Sequence, residues 1–134
     1  MFAGLVVLWF VDGRIKKVQV LHALFACFVA FTVTEIIKQL FHIPRPFIVD
    51  GLRNYTLTTP LDSTFPSSHS AVVFALALTV WFHDRKIGFL FLFLAAIVAW
   101  ARVAANVHYP IDVFFGGVIG SLVALIIEKI HLRY

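Results

Sequence analysis

Arg102, His108 and Asp112 stand as R-x5-H-x3-D in the stretch Ala101 to Gly117, ARVAANVHYPIDVFFGG, which is otherwise apolar. Ionisable groups at the edge of hydrocarbon are costly and mark a functional site by default. Their partners must come from elsewhere in the chain. Two other polar stretches offer them: Lys38 to Arg45, and Pro66-Ser67-Ser68-His69. Lys38, Arg45 and Arg102 supply three cations, His69 and His108 two imidazoles, and Asp112 a carboxylate. Such a set suits a phosphate. Phosphoryl transfer needs positive groups around the equatorial oxygens, a nucleophile in line with the leaving oxygen, and an acid to protonate that oxygen. Histidine titrates near neutrality and can serve as nucleophile or as general acid, so the two histidines could divide those roles. Asp112, four residues after His108, could hold the imidazole in the tautomer that presents a free nitrogen to phosphorus. Ser67 and Ser68, at a helix start behind Pro66, would add hydroxyls and free backbone N–H groups, a natural anion site.

The elements that must carry these residues are apolar. The chain has 134 residues, 61% hydrophobic and only 13% charged, with a mean hydropathy of +0.95, far from the soluble average of about 25% charged residues. This composition implies an all-α, multi-pass transmembrane bundle forming a single membrane-embedded domain over 1–134. The formal charge of +4 does not point to nucleic acid, because the basic residues are scattered between apolar segments rather than massed on one face. Cys27 is the only cysteine, which rules out an intrachain disulfide or a multi-cysteine metal site.

Phe2 to Val11 is apolar but too short to span, roughly 15 Å as a helix against a hydrocarbon core of about 30 Å. It is either the end of a helix whose beginning is missing from the chain or a short interfacial piece. Four spanning segments are expected after it: Val18 to Phe41, Ser67 to about Phe82, Ile87 to Ala101, and Ile111 to Ile127. Gly116 and Gly120 have the small-xxx-small spacing that lets helices approach closely. Glu35 lies one helical turn before Lys38 and could pair with it. The long connection from His42 to Pro66 is expected to be functional, with Arg53 and Asp62 read as ordinary loop residues.

If all four segments cross, the basic connectors at Arg14 to Lys17, Arg85 and Lys86, and Lys129 and Arg133 fall on one side, which the positive-inside rule makes cytoplasmic. The end of the first segment, the long loop, the start of the second and the Arg102 to Asp112 stretch then share the opposite face. Topology alone therefore gathers the three polar stretches.

Together these stretches resemble the three signature motifs of the phosphatidic acid phosphatase type 2 family: Lys38-x6-Arg45-Pro46, Pro66-Ser67-Ser68-His69 and Ala101-Arg102-x5-His108-x3-Asp112. The resemblance implies a lipid phosphatase in which His108 forms a phosphohistidine, Asp112 orients it and His69 protonates the leaving group. Lys38, Arg45, Ser67 and Arg102 would hold phosphate oxygens, with the backbone N–H of Ser68, and neither a metal nor another cofactor is implied. Ser68 stands where the family usually has Gly, and Ala101 where it usually has Ser. Membrane members commonly have six helices, more than this chain offers.

The implied substrate is a lipid-linked phosphate or pyrophosphate at the outer face of the cytoplasmic membrane, with a polyprenyl diphosphate as the first expectation and phosphatidic acid or phosphatidylglycerophosphate as alternatives. A lipid-phosphate binder without turnover is the competing class. Taken singly, Lys38 and Arg102 could be helix-end cations and Asp112 a first-turn acid; those readings leave the joint spacing unexplained.

Overall fold

Residues 14–57 and 59–131 are described by a computed structural model, with side-chain surroundings for 19–57 and 59–130. The apolar stub expected near the amino terminus lies outside the described residues. Five helices follow in order: α1 (Arg14–Leu40), α2 (Pro46–Val49), α3 (Ser68–His83), α4 (Arg85–Ala104) and α5 (Pro110–His131). The described residues are helix and connection throughout, as the composition implies.

The helices begin where local chemistry starts them. Asp84 is the only residue between α3 and α4, and its Oδ1 accepts from the Lys86 and Ile87 N–H groups at 2.9 and 3.0 Å. It caps the orphan donors of the first turn of α4. Arg85 and Lys86, expected as a connector, therefore lie inside the helix. Pro110 opens α5, where a missing N–H does no harm, and Asp112 Oδ2 reaches back to the Tyr109 N–H at 2.8 Å. Arg14 to Lys17, expected as a connector, continue as the start of α1. Lys and Arg are good helix formers, so a charged run does not end a helix by itself.

Small residues fill the interior and large ones face outward. Ala23, Ala26 and Ala30 of α1, Ala71 and Ala75 of α3, and Ala95 of α4 are fully buried, whereas Phe25, Phe28, Phe93 and Phe114 are well exposed. This inverts a soluble core and suits a bundle whose solvent is lipid. Gly120 lies against the backbone carbonyl of Ala71, and Gly116 against that of Ser67. The predicted close approach of helices is thus made by α5 upon α3.

Among the described residues, three helices are long and apolar enough to cross a membrane, over Gln19–Leu40, Arg85–Ala104 and Pro110–Ile130. The expectation of four spanning segments is met by length for these three. The other, α3, has 16 residues, roughly 24 Å of helix. It packs against α1, α4 and α5, and His69 is its only exposed residue. A helix apolar all round is a buried helix, and one sheathed by neighbours need not match the bilayer thickness.

The connection between α1 and α3 is tied down over the turn between α4 and α5. Phe47 N–H donates to Asn106 O at 3.3 Å and Tyr55 N–H to Ala105 O at 3.1 Å, while Asn106 Nδ2 donates to the Asp50 carboxylate at 3.0 Å. Asn106 makes this turn with φ of 59°, a conformation that asparagine tolerates better than most residues. The loop carrying Arg45 is thereby held beside the loop carrying His108.

Candidate active site

The C-terminal end of α1, the N-terminal end of α3, the C-terminal end of α4 and the start of α5 meet at one end of the bundle. There Lys38, Arg45, Ser68, His69, Arg102 and His108 line a cavity of about 260 Å³. The three polar stretches do converge. Asp112 lies behind this wall, fully buried. Ser67 is also fully buried and caps α3, its Oγ accepting from the Ser70 hydroxyl at 3.1 Å and, more weakly, from the Ser70 N–H at 3.4 Å. Its side chain is part of the helix start rather than of the cavity lining.

The cations are held rather than loose. Arg45, 2% exposed, donates through Nε to Asp62 O at 3.1 Å, through Nη1 to Val107 O at 2.9 Å and through Nη2 to Asp62 Oδ1 at 2.7 Å. Lys38 Nζ lies 2.6 Å from Asp62 Oδ2 and 3.1 Å from Glu35 Oε1. One carboxylate thus bridges the two cations. These contacts occupy three of the five guanidinium donors and two of the three ammonium donors. The Nε of Arg102 is buried with no hydrogen-bond acceptor. A buried donor left so costs about 1–3 kcal/mol, which an anion in the cavity would offset.

The Glu35 to Lys38 pairing left open by sequence is present. Glu35 also accepts from the Ser68 hydroxyl at 2.7 Å, so the side chain standing where the family usually has glycine is turned toward Glu35. Ala101 is exposed. Asp62 and Thr64 are the residues that sequence reasoning missed. Burial pushes the Asp62 carboxyl up, but hydrogen bonding and charge from Lys38, and then from Arg45, more than offset it and hold it below its usual range. A second hollow of about 520 Å³ shares the Lys38, Arg45 and Asp62 wall. Neither His69 nor His108 lines it, so the smaller cavity is the one with reactive groups.

His108 is 2% exposed. Its Nδ1 lies 3.2 Å from Thr64 Oγ1 and 3.7 Å from Asp112 Oδ2, and Thr64 Oγ1 donates to Asp112 Oδ2 at 2.6 Å. Asp112 therefore stands behind the imidazole as expected, with a hydroxyl between them. Burial lowers the pKa of His108; Asp112 opposes that, and the Arg45 and Arg102 charges add to the lowering. A depressed value leaves the imidazole neutral near pH 7 with a free nitrogen lone pair. The acidic limb of kcat/KM for any reaction that His108 begins as nucleophile is expected below the ordinary imidazole value of about 6.5. A pH series checks this; a limb at or above 6.5 contradicts it.

A sequence model of the PAP2 superfamily matches residues 19–133. The chain belongs to the PAP2 superfamily. Among PAP2 relatives it is 32% identical over 124 residues to the bacitracin transport permease protein BcrC of Bacillus licheniformis, covering 92% of this chain and 61% of that protein. It is 27% identical over 131 residues to the undecaprenyl-diphosphatase BcrC of Bacillus subtilis, covering 97% and 65%. The chain thus spans less than two thirds of the length of either. The crystal structure of LpxE from Aquifex aeolicus superposes with a TM-score of 0.72 at 30% identity, over 96% of this chain and 75% of that one. The bundle of α1, α3, α4 and α5 thus shares the fold of that structure.

Proposed function

We propose that the chain is an integral membrane lipid phosphatase that hydrolyses a lipid-linked phosphate or diphosphate through a phosphohistidine at His108. The observation that carries this reading is the single cavity in which Lys38, Arg45 and Arg102 surround His69 and His108, with Asp112 behind His108. In this mechanism the cations neutralise the equatorial oxygens, and the His108 Nε2 lone pair forms the bond to phosphorus while the bond to the leaving oxygen breaks. His69 gives its proton to that oxygen. Water, deprotonated by the same His69, then cleaves the N–P bond, and phosphate leaves with His108 restored. The Ser68 N–H, in the first turn of α3 that Ser67 caps, completes the cradle.

The substrate reading is a polyprenyl diphosphate. The similarity to the undecaprenyl-diphosphatase of Bacillus subtilis supports it. A lipid tail would lie along the exposed Phe and Leu side chains and supply affinity. In this reading α3 is the fourth crossing, residues 1–134 form one domain, and the site opens at the extracytoplasmic face of the cytoplasmic membrane, because the basic connectors gather at the opposite end.

A panel of undecaprenyl diphosphate, phosphatidic acid and phosphatidylglycerophosphate, assayed for phosphate release with and without EDTA, tests the proposal. The expected result is chelator-insensitive release, fastest with the polyprenyl diphosphate. Binding of all three without release would replace it by a non-catalytic lipid-phosphate binder.

A further inference from the structure

Thr64 belongs to none of the three motifs, yet its side chain lies between His108 and Asp112. It is fully buried. Its Oγ1 is 2.6 Å from Asp112 Oδ2 and 3.2 Å from His108 Nδ1, whereas His108 Nδ1 and Asp112 Oδ2 are 3.7 Å apart. An N–H···O bond spans about 2.7–3.2 Å, so the direct contact is not a hydrogen bond. A hydroxyl has one proton to give. The short contact to a carboxylate claims it, and the oxygen's lone pairs are left to accept from Nδ1–H. The Val107 carbonyl, 3.4 Å from Oγ1, competes for the same proton at a poorer distance. Asp112 Oδ2 is held from its other side by the Tyr109 N–H, and the Thr64 N–H is anchored on Ile43 O at 3.0 Å.

We infer that Thr64 is the positioning residue for His108: its hydroxyl passes the hold of Asp112 on to Nδ1 and thereby leaves Nε2 as the unprotonated nitrogen. The inference rests on the reading of His108 as nucleophile. As the Nε2 lone pair forms the N–P bond and the leaving oxygen takes the electrons of the breaking P–O bond, positive charge grows on the imidazole. The chain from Nδ1–H to Oγ1 and from Oγ1–H to Oδ2 stabilises that charge. No proton travels along it; Nδ1 keeps its hydrogen throughout. Asp112 from α5, Arg102 from α4, His69 from α3 and Arg45 from the long loop are the charged and titratable groups that bear on His108.

Thr64→Val keeps the shape of the side chain and removes the hydroxyl, whereas Thr64→Ser keeps the hydroxyl. With undecaprenyl diphosphate in detergent micelles, Thr64→Val is expected to lower kcat about 10- to 100-fold, with KM changed by less than about twofold. The acidic limb of its pH profile should move to lower pH, because the imidazolium has lost its link to the carboxylate. Thr64→Ser should retain kcat within about threefold and leave the limb in place. A Thr64→Val protein with wild-type kcat and pH limb would overturn the inference, and so would a Thr64→Ser protein as impaired as the valine variant. Nitrogen-15 spectra of histidine-labelled wild type give a readout that needs neither variant to fold: the Nδ1–H tautomer of His108 is expected, and an Nε2–H tautomer sinks the idea. Absence of phosphate release by the wild type would instead remove the phosphatase reading, with the tautomer measurement still deciding the role of Thr64.

Discussion

Replacing His108 by alanine is expected to lower phosphate release from a lipid phosphate by about 10³-fold or more, because the group read as attacking phosphorus is removed. Lys38, Arg45 and Arg102 remain in place, so lipid-phosphate binding should survive where turnover does not. Wild type incubated with labelled substrate and quenched in alkali should carry a phosphoryl group that base spares and acid removes, and the variant should carry none. A variant that keeps most of its turnover would remove His108 from the mechanism. His69→Ala separates the roles further. If His69 is the acid, substrates with a good leaving group lose less rate than lipid phosphates do, because their oxygen needs no proton.

Gly120→Val should have the largest effect on the fold. A side chain at 120 meets the carbonyl of Ala71 on α3, and a helix backbone atom cannot turn aside as a side-chain end can. Overpacking of this kind costs about 1–3 kcal/mol and occasionally more, which should lower the thermal unfolding midpoint in detergent by roughly 5 °C or more. Gly117→Ala is the control. A Cβ there would lie 3.2 Å from the Phe74 ring, which a small ring movement relieves, so its midpoint should stay near wild type. Equal midpoints for the two variants would mean that α3 and α5 are not locked at Gly120.

Most of the site could be read from sequence because each motif is local. Arg102, His108 and Asp112 span one helix end, one turn and the next helix start, so their spacing alone nearly fixes their geometry. Lys38 and Arg45 straddle the end of α1 in the same way, and Pro66-Ser67-Ser68-His69 is a helix start by its own chemistry. Asp62 and Thr64 were hidden for the opposite reason. Their partners are 17 to 48 residues distant in sequence, in a connection without periodicity, and only the path of the loop over the α4 to α5 turn brings them in. Hydropathy had a similar limit at α3. It registers an apolar run but not what surrounds it, so the sheathing of α3 by α1, α4 and α5 was not visible in it.

The contacts of α5 upon α3 also decide which parts of the site can move. Gly116 against Ser67 and Gly120 against Ala71 advance four residues on each helix, so the two backbones mesh at successive turns, and the Ser67 N–H donates to Asp112 O at 3.0 Å just above them. The helix start at the cavity and the carboxylate behind His108 thus belong to one rigid pair, and sliding by a turn would lift both glycines out of their seats. Arg45, donating to Val107 O, and Thr64, donating to Asp112, fasten the long connection to the same pair, so it too has little room to move on its own.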